Sequence, residues 1–261
     1  MDTGNRVIRG LLTRGPAGWV LERLGWWLAC WLNQPVAEYQ PFAVHPPDSL
    51  ARVLQPADVL LVEGELRISA TIKYLTQSTW SHAALYVGDA VPGSPCGMLI
   101  EADLEQGVIA VPLEKYRARN TRVCRPVGLT PEDRERVIAY AVGALGRRYD
   151  LKNVIDLVRY LFPVPPVPRR WRRRMLALGS GDPTRAICST LLAQAFQEVR
   201  YPILPEVEHC PDCARRRELL HIRHHSLFAP RDFDLSPYFE VVKPTLALGF
   251  DYRRLSWAQE D

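Results

Sequence analysis

The chain has 261 residues, of which 47% are hydrophobic, 24% charged and 9% aromatic, fractions typical of a globular protein with a substantial core. Its net charge of +4 is too small to predict nucleic-acid binding, although it is compatible with an anionic surface or substrate. The six cysteines are too sparse for a dense disulfide framework, which favours reduced thiols in a cytosolic protein.

An amphipathic helix is predicted over residues 16–33. Its apolar face carries side chains at helical spacing: Val20, Leu24, Trp27 and Trp31. The helix either packs on the core or lies in a membrane interface, where tryptophan is favoured. The uninterrupted apolar run Leu24–Leu32 is shorter than the roughly 20 residues that span a bilayer. The sequence therefore predicts neither an export signal nor a transmembrane helix, but a cytoplasmic protein that is either free or peripherally bound to a membrane.

Five strands are predicted in the first half of the chain, with one helix, Leu66–Leu75, after the first of them. The strands are Asp58–Glu63, Trp80–Gly88, Gly97–Ala102, Gly107–Val111 and Thr121–Val127. In the second strand, alternation places His82, Ala84 and Tyr86 on one face. The residues 103–106 between the third and fourth strands suit a turn, so these two strands are expected to form a hairpin.

Helices dominate the second half. Thr130 is a suitable N-cap, Pro131 follows at the first helical position, and Gly146 is a plausible stop. Further helices are predicted over residues 151–161 and 188–199, and a last strand over residues 238–242. Strands that come first and helices that cluster later indicate an α+β fold.

Three residues have the character of a cysteine-nucleophile site. Cys188 is predicted to open a helix, where unpaired backbone N–H groups and the helix dipole favour a thiolate and can hold an oxyanion. His82 lies within a predicted strand, and Glu101 in the next strand can hold the second nitrogen of the imidazole. Taken singly, each has a plainer interpretation: a small buried side chain, a core histidine and a strand-end acid. Together they predict a triad.

The stretch "DVLLVEGELRISATIKYLTQSTWSHAALYVG", residues 58–88, resembles the opening of the permuted papain-like amidases of the YiiX/YaeF kind, relatives of NlpC-type peptidases. In that family a strand with an aspartate leads into a helix and then into a strand with a Ser-His pair. The next strand holds a glutamate, matched by "LIEA", and the nucleophile opens a later helix, matched by "CSTLLAQAF". The segments "GRRYD" and "FDLSPYFEVV" are also similar, so the resemblance runs from about Ala57 to Val242.

This resemblance implies a circularly permuted papain-like (NlpC-like) fold, in which an antiparallel sheet packs on helices. The amphipathic N-terminal helix is an extra feature. The predicted organisation is an N-terminal helical extension over residues 1–50, a catalytic domain over 51–245 and a C-terminal tail over 246–261. A Cys/His-rich insert at 205–228 lies within the catalytic domain.

The resemblance also implies thiol-mediated acyl chemistry, with Cys188 attacking, His82 activating it and Glu101 orienting the imidazole. The predicted activity is that of a hydrolase or acyltransferase acting on an amide or ester of a lipid or peptide substrate, through a thioester. Relatives such as lecithin:retinol acyltransferase act on lipids. The predicted substrate-binding residues are Ser81, Tyr86, Tyr149 and Ser189. The chemistry requires no cofactor, and the predicted partners are a lipid or acylated peptide and a membrane surface.

The Cys/His-rich insert offers a weaker alternative. A C-x-x-C pair followed by histidines can bind zinc, here through Cys210, Cys213, His221 and His224, but the gap is short and the C-x-x-C occurs once. Free or redox-linked thiols are the other interpretation. The alternatives to an enzyme are a non-catalytic lipid- or peptide-binding protein on the same fold and a zinc-stabilised interaction module.

We predict that the N-terminal helix binds membranes without crossing them. Full-length protein should float with anionic liposomes, while a variant that starts near Gln40 should remain in the dense fraction, because the variant lacks the tryptophan-rich face. Equal flotation of the two proteins would mean that the helix belongs to the core.

Overall fold

The computed structural model describes residues 34, 47–103, 106–147, 187–209, 218–221, 224–225, 228–251 and 253. The described helices are α1 (Pro47–Val53), α2 (Arg67–Thr76), α3 (Pro131–Gly143), α4 (Ile187–Glu198), α5 (Pro230–Leu235), α6 (Pro244–Ala247) and the 3-10 helix Leu113–Tyr116. The strands are β1 (Val59–Val62), β2 (His82–Gly88), β3 (Met98–Asp103), β4 (Gly107–Pro112), β5 (Thr121–Pro126), β6 (Glu206–His209), β7 (Glu218–His221) and β8 (Phe239–Val242).

Six strands form one antiparallel sheet in the order β4-β3-β2-β1-β5-β8, and β6 pairs with β7 in a separate hairpin. At its centre, β1 pairs with β2 from Val59↔Leu85 to Val62↔His82. Every residue of β1 is buried, since α3 and α4 cover one face of the sheet while α1 and the 3-10 helix cover the other. The predicted α+β architecture, an antiparallel sheet packed on helices, is confirmed.

Helix α3 begins and ends where its sequence signals indicate. The Thr130 side chain accepts a hydrogen bond from the backbone N–H of Asp133 at 3.2 Å, and Pro131 occupies the first turn. Gly146 has a φ of +77°, a left-handed conformation that glycine adopts without steric cost. With its ends fixed in this way, α3 packs against α4, the helix that carries Cys188.

The second strand begins later than predicted. We expected a strand from Trp80, but β2 starts at His82. Trp80 lies outside the ladder because its backbone N–H donates to the Ser78 hydroxyl at 3.2 Å, whereas the Ser81 N–H still donates to the Val62 carbonyl of β1 at 3.2 Å. The side chains of both residues bond elsewhere: the Trp80 indole donates to Asp234 at 3.1 Å, and the Ser81 hydroxyl accepts from the Gly64 N–H at 2.9 Å. His82 is therefore at the end of the strand and not in its middle.

Several elements fall outside the sequence-based prediction. The short helices α1, α5 and α6, the 3-10 helix and the β6–β7 hairpin were not expected, because four to seven residues give too little periodicity to detect. The predicted helices at residues 16–33 and 151–161 lie outside the described residues. Among the helices that the structure does describe, none has the length and apolarity needed to cross a bilayer. The predicted domain boundaries stay predictions.

A buried ion pair ties the start of β1 to β5. The Asp58 side chain is 1% exposed and accepts from Arg125 at 2.9 and 2.7 Å and from the Gln55 N–H at 2.8 Å. Burial raises the pKa of Asp58, although Arg125 and the Gln55 N–H act in the opposite direction. Arg125 also donates to the Val53 carbonyl at the end of α1, so one guanidinium joins three segments.

We expect Arg125→Met to lower the free energy of unfolding by about 3–5 kcal/mol, because it leaves a buried carboxylate without its cation. Urea unfolding would measure the loss. Arg136→Met is the matched control, since Arg136 forms a largely exposed pair with Asp133 that is worth about 1 kcal/mol or less. Equal losses for the two variants would contradict the importance of the buried pair.

Candidate active site

His82 and Glu101 meet through the register of the sheet. Strands β2 and β3 pair Leu85 with Ile100, and continuing this register places Glu101 opposite Ala84. His82 is then the diagonal neighbour of Glu101 on the same face, a separation that long side chains can bridge. The His82 Nε2 lies 3.2 Å from the Glu101 Oε2. The predicted contact between imidazole and carboxylate is present.

The Glu101 carboxylate is almost completely enclosed, at 1% exposure, and is held by further donors. The Lys115 Nζ lies 2.5 Å from Oε1, and the Tyr116 hydroxyl donates to Oε2. Burial opposes ionisation, but the hydrogen bond and charge of His82, with those from Lys115 and Tyr116, lower the pKa of Glu101 to about 2. The carboxylate is therefore ionised at any physiological pH.

Sequence reasoning missed Lys115 and Tyr116. Both lie in the 3-10 helix that follows β4, and nothing in "LEKY" alone indicates that this turn folds over β3. A buried carboxylate requires hydrogen-bond donors, so Glu101 in a predicted strand indicates that donors surround it. This requirement does not tell which residues supply them.

Cys188 is the second residue of α4 and is 4% exposed. The His82 ring, the backbone N–H of Ala83 and the Ser189 hydroxyl lie close enough to its thiol for each to lower the pKa of Cys188, and the Ser189 hydroxyl is 4.0 Å from Sγ. The start of a helix has backbone N–H groups without intrahelical partners. Cys188 therefore lies where an anion is stabilised from two directions, by the helix terminus and by the imidazole.

The electrostatics favour an ion pair between Cys188 and His82. Burial opposes the charge on the imidazole, but the Cys188 thiolate and then Glu101 raise the pKa of His82 to about 10. Burial likewise opposes the thiolate, yet the charge and hydrogen bond of His82 hold the pKa of Cys188 below its ordinary value. Both shifts favour the thiolate–imidazolium form of the pair, which is the reactive form of a cysteine nucleophile.

The imidazole joins two faces of the sheet. Cys188 and Ala83 belong to the core on the α3–α4 face, whereas Tyr116 belongs to the core on the opposite face and its ring centroid is 6.2 Å from that of His82. A side chain in mid-strand is confined to one face. His82 reaches both because β2 begins there.

The predicted substrate-binding residues are distributed differently. Ser81 and Ser189 are both buried, and the Ser81 hydroxyl is engaged with Gly64. Tyr86 is half-buried and lies four residues along β2 from His82, about 13 Å away at strand spacing. Tyr149 lies outside the described residues. Ser189 thus lies next to Cys188 and Ser81 directly precedes His82, whereas Tyr86 lies away from both, and a substrate role for any of them stays a prediction.

A polar groove that the sequence did not indicate lies near the start of β2. It encloses about 570 Å³ between α2, the segment before β2, β5 and α5. We call it the Trp80 groove, after one of its lining residues, and define it by Lys73, Trp80, Arg122, Arg231 and Asp234. These residues come from distant parts of the chain, so no local pattern could have assembled them.

The proposed zinc ligands are only partly described. Cys210 and Cys213 lie outside the described residues, His221 is the last residue of β7, and the exposed His224 stacks near His225 with ring centroids 4.0 Å apart. Within the described part of the chain, no three histidine, cysteine, aspartate or glutamate side chains gather closely enough to hold a metal ion. Zinc binding by the insert stays a prediction.

We predict that Cys188 stays reactive below the ordinary thiol range. Its rate of alkylation by iodoacetamide should fall only as the pH drops through its lowered pKa, which lies below the usual value of about 8.5. His82→Ala should move this inflection above the ordinary value, because burial then acts without the imidazolium. Above about pH 10 the imidazolium loses its proton, so the ion pair exists between the two pKa values.

Peptide mapping by mass spectrometry would measure this rate for each cysteine separately. Cys124 is an internal control, since burial raises its pKa to about 12 and it should stay unlabelled at neutral pH. A Cys188 inflection at or above about 8.5 in the unaltered protein would contradict the ion pair.

Residues 53–160 match the family model described as "Permuted papain-like amidase enzyme, YaeF/YiiX, C92 family". None of the curated proteins matches the chain. Among solved structures, the chain is similar to the crystal structure of metalloprotein yiiX from Escherichia coli O157:H7, with 17% identity and a TM-score of 0.44, over 72% of this chain and 96% of that one. Cys188 lies beyond the matched residues, so its assignment depends on the geometry above. The matched residues carry His82 and Glu101, and the match supports the resemblance to permuted papain-like amidases of the YaeF/YiiX kind that the sequence motifs indicate.

Proposed function

We propose that this chain is a cysteine amidase in which Cys188 is the nucleophile, His82 the general acid and base, and Glu101 the residue that orients and charges the imidazole. The observation that carries the proposal is the position of His82, which contacts a buried carboxylate at 3.2 Å and whose charge is coupled to that of a buried thiol at a helix start. The family match supports the same class, a cysteine-type hydrolase. A thiol, a base and an orienting group within contact are the parts that nucleophilic catalysis requires.

The reaction begins with attack of the Cys188 thiolate on the carbonyl carbon. Negative charge then develops on the carbonyl oxygen, where backbone N–H groups at the start of α4 can stabilise it. The C–N bond breaks as the His82 imidazolium gives its proton to the leaving amine, which leaves a thioester on Cys188. Neutral His82 next takes a proton from water, the hydroxide displaces the thiolate, and the carboxylic acid departs.

Peptide-like amides are the substrate class that we favour. Most side chains lining the Trp80 groove are polar or charged, with Leu235 and the largely buried Trp80 as the apolar members. Such a lining solvates a polar acyl group better than a long hydrocarbon chain. Acyl transfer to an acceptor other than water and action on lipids would use the same thioester, and both stay predictions. A cytoplasmic location and a peripheral membrane partner also stay predictions.

Two alternatives to an enzyme are a non-catalytic binding protein on the same fold and a zinc-stabilised interaction module. Neither explains why a histidine with a pKa of about 10 contacts a thiol of lowered pKa. Groups with perturbed pKa values that meet in this way are typical of functional sites. Metal analysis of purified protein would identify a zinc module directly.

We predict a graded loss of activity on a chromogenic amide. Cys188→Ala should abolish turnover, because no thioester can form. His82→Ala should lower kcat by about 10²–10⁴-fold, the usual contribution of general acid–base catalysis. Glu101→Gln should cost less than His82→Ala, since it removes an orienting charge and not a reacting group.

Tyr116→Phe separates positioning from folding in this series. It removes one donor to Glu101 and leaves all three reacting or orienting groups in place, so we expect a small fall in kcat and a shift in its pH profile with KM unchanged. Thermal unfolding should be checked for each variant. Near-normal turnover by a folded Cys188→Ala protein would end the proposal.

A further inference from the structure

The Trp80 groove lies near the start of β2, the strand that carries His82. Trp80 precedes His82 by two positions, so their Cα atoms are at most about 7.6 Å apart. Trp80 and Cys188 belong to the same buried core cluster, and Glu63, which also lines the groove, follows the Val62 that pairs with His82. The groove and the proposed catalytic residues are therefore neighbours through Trp80 and through the start of β2.

Most charges in the groove are matched. The Arg122 guanidinium lies 2.6 and 2.8 Å from the two oxygens of Asp234 and 4.9 Å from the centre of the Trp80 ring, and the indole N–H donates to the same carboxylate at 3.1 Å. Lys73 lies 3.1 Å from Glu63. These contacts use both acids that line the groove.

Arg231 is the exception. Its guanidinium donates to the Thr76 carbonyl at the end of α2, and it forms no ion pair with a carboxylate of the described residues. The bond to Thr76 fixes one edge of the guanidinium, while its remaining N–H groups are available to a ligand. A planar, held guanidinium with donors to spare is suited to a carboxylate or phosphate.

We propose that the Trp80 groove binds an anionic end of the substrate, a carboxylate or a phosphate, through Arg231, and so positions the scissile amide at Cys188. This inference rests on the proposed amidase function and adds the substrate's charge to it. The charges of the lining support this inference. Lys73 is paired with Glu63 and Arg122 with Asp234, so the charge of Arg231 is the one that a ligand anion would neutralise.

Three thiol-reactive probes of equal length test the inference. Each carries a chloroacetamide at one end and a flexible alkyl linker, which ends in a carboxylate, a phosphate or a neutral amide. Saturation kinetics of Cys188 alkylation give an apparent affinity KI and a maximal rate kinact for each probe. We expect both anionic probes to have a lower KI than the neutral one, and the tighter of the two identifies the anion.

Arg231→Gln should raise KI for the anionic probes by about tenfold or more, the worth of a charge-assisted hydrogen bond, and leave the neutral probe and kinact unchanged. Arg231→Lys should retain part of the preference. Arg136→Gln, which removes an exposed arginine of α3, is the matched control and should change nothing. Equal KI for charged and neutral probes, or an equal rise for all three in Arg231→Gln, would overturn the inference.

Unreactive acetamide versions of the probes keep this test separate from the proposed function. Their binding to Cys188→Ala protein, measured by calorimetry, should show the same preference for an anion and the same dependence on Arg231. Anion-selective binding without any alkylation of Cys188 would overturn the proposed chemistry and uphold the groove. Alkylation of Cys188 without anion-selective binding would overturn the inference about the groove and leave the proposed chemistry in place.

Discussion

The whole arrangement depends on one constraint, the burial of the Glu101 carboxylate within the sheet. An unpaired charge at that depth would cost several kcal/mol, so the fold must supply donors around it. It does so with Lys115, Tyr116 and His82, which come from two separate segments. Because the carboxylate stays ionised, the imidazole beside it is favoured in its charged form. That charge in turn favours the thiolate of Cys188. The contacts that compensate the buried carboxylate therefore also favour the reactive form of the proposed nucleophile.

His82 can contact groups on both faces of the sheet because it is the first residue of β2. Within a strand, side chains alternate strictly between faces, and an imidazole cannot contact partners on both. The strand begins at His82, and at this position the ring contacts the Glu101 carboxylate on one face and lies near the Cys188 thiol on the other. Trp80, two residues before His82, also lines the groove. The proposed catalytic site and the proposed substrate groove therefore share the segment at the start of β2.

The sequence predicted the strands of the site well and its surroundings poorly, for physical reasons. Alternation along β2 and the hairpin of β3 with β4 were enough to expect His82 and Glu101 on neighbouring strands. Their contact depends on how β2 and β3 are aligned, since only the pairing of Leu85 with Ile100 makes His82 and Glu101 diagonal neighbours. Lys115 was unpredictable because it lies in a single 3-10 turn, too short to have a period. The residues of the Trp80 groove lie up to 161 positions apart in the chain, from Lys73 to Asp234, so they could be identified only after folding.

The coupling between thiol and imidazole also gives the proposed reaction its order. The largest of the influences that raise the pKa of His82 is the charge on Cys188. When the thiolate forms a thioester, that charge disappears, and the pKa of His82 must fall toward the value that Glu101 alone maintains. The imidazolium therefore becomes a stronger acid at the moment the leaving amine requires a proton. Having given it up, the ring faces a neutral thioester and is able to act as a base toward water. As deacylation restores the thiolate, the charge that favours the imidazolium returns, and the site regains its ion pair while only Cys188 and His82 change their charge state.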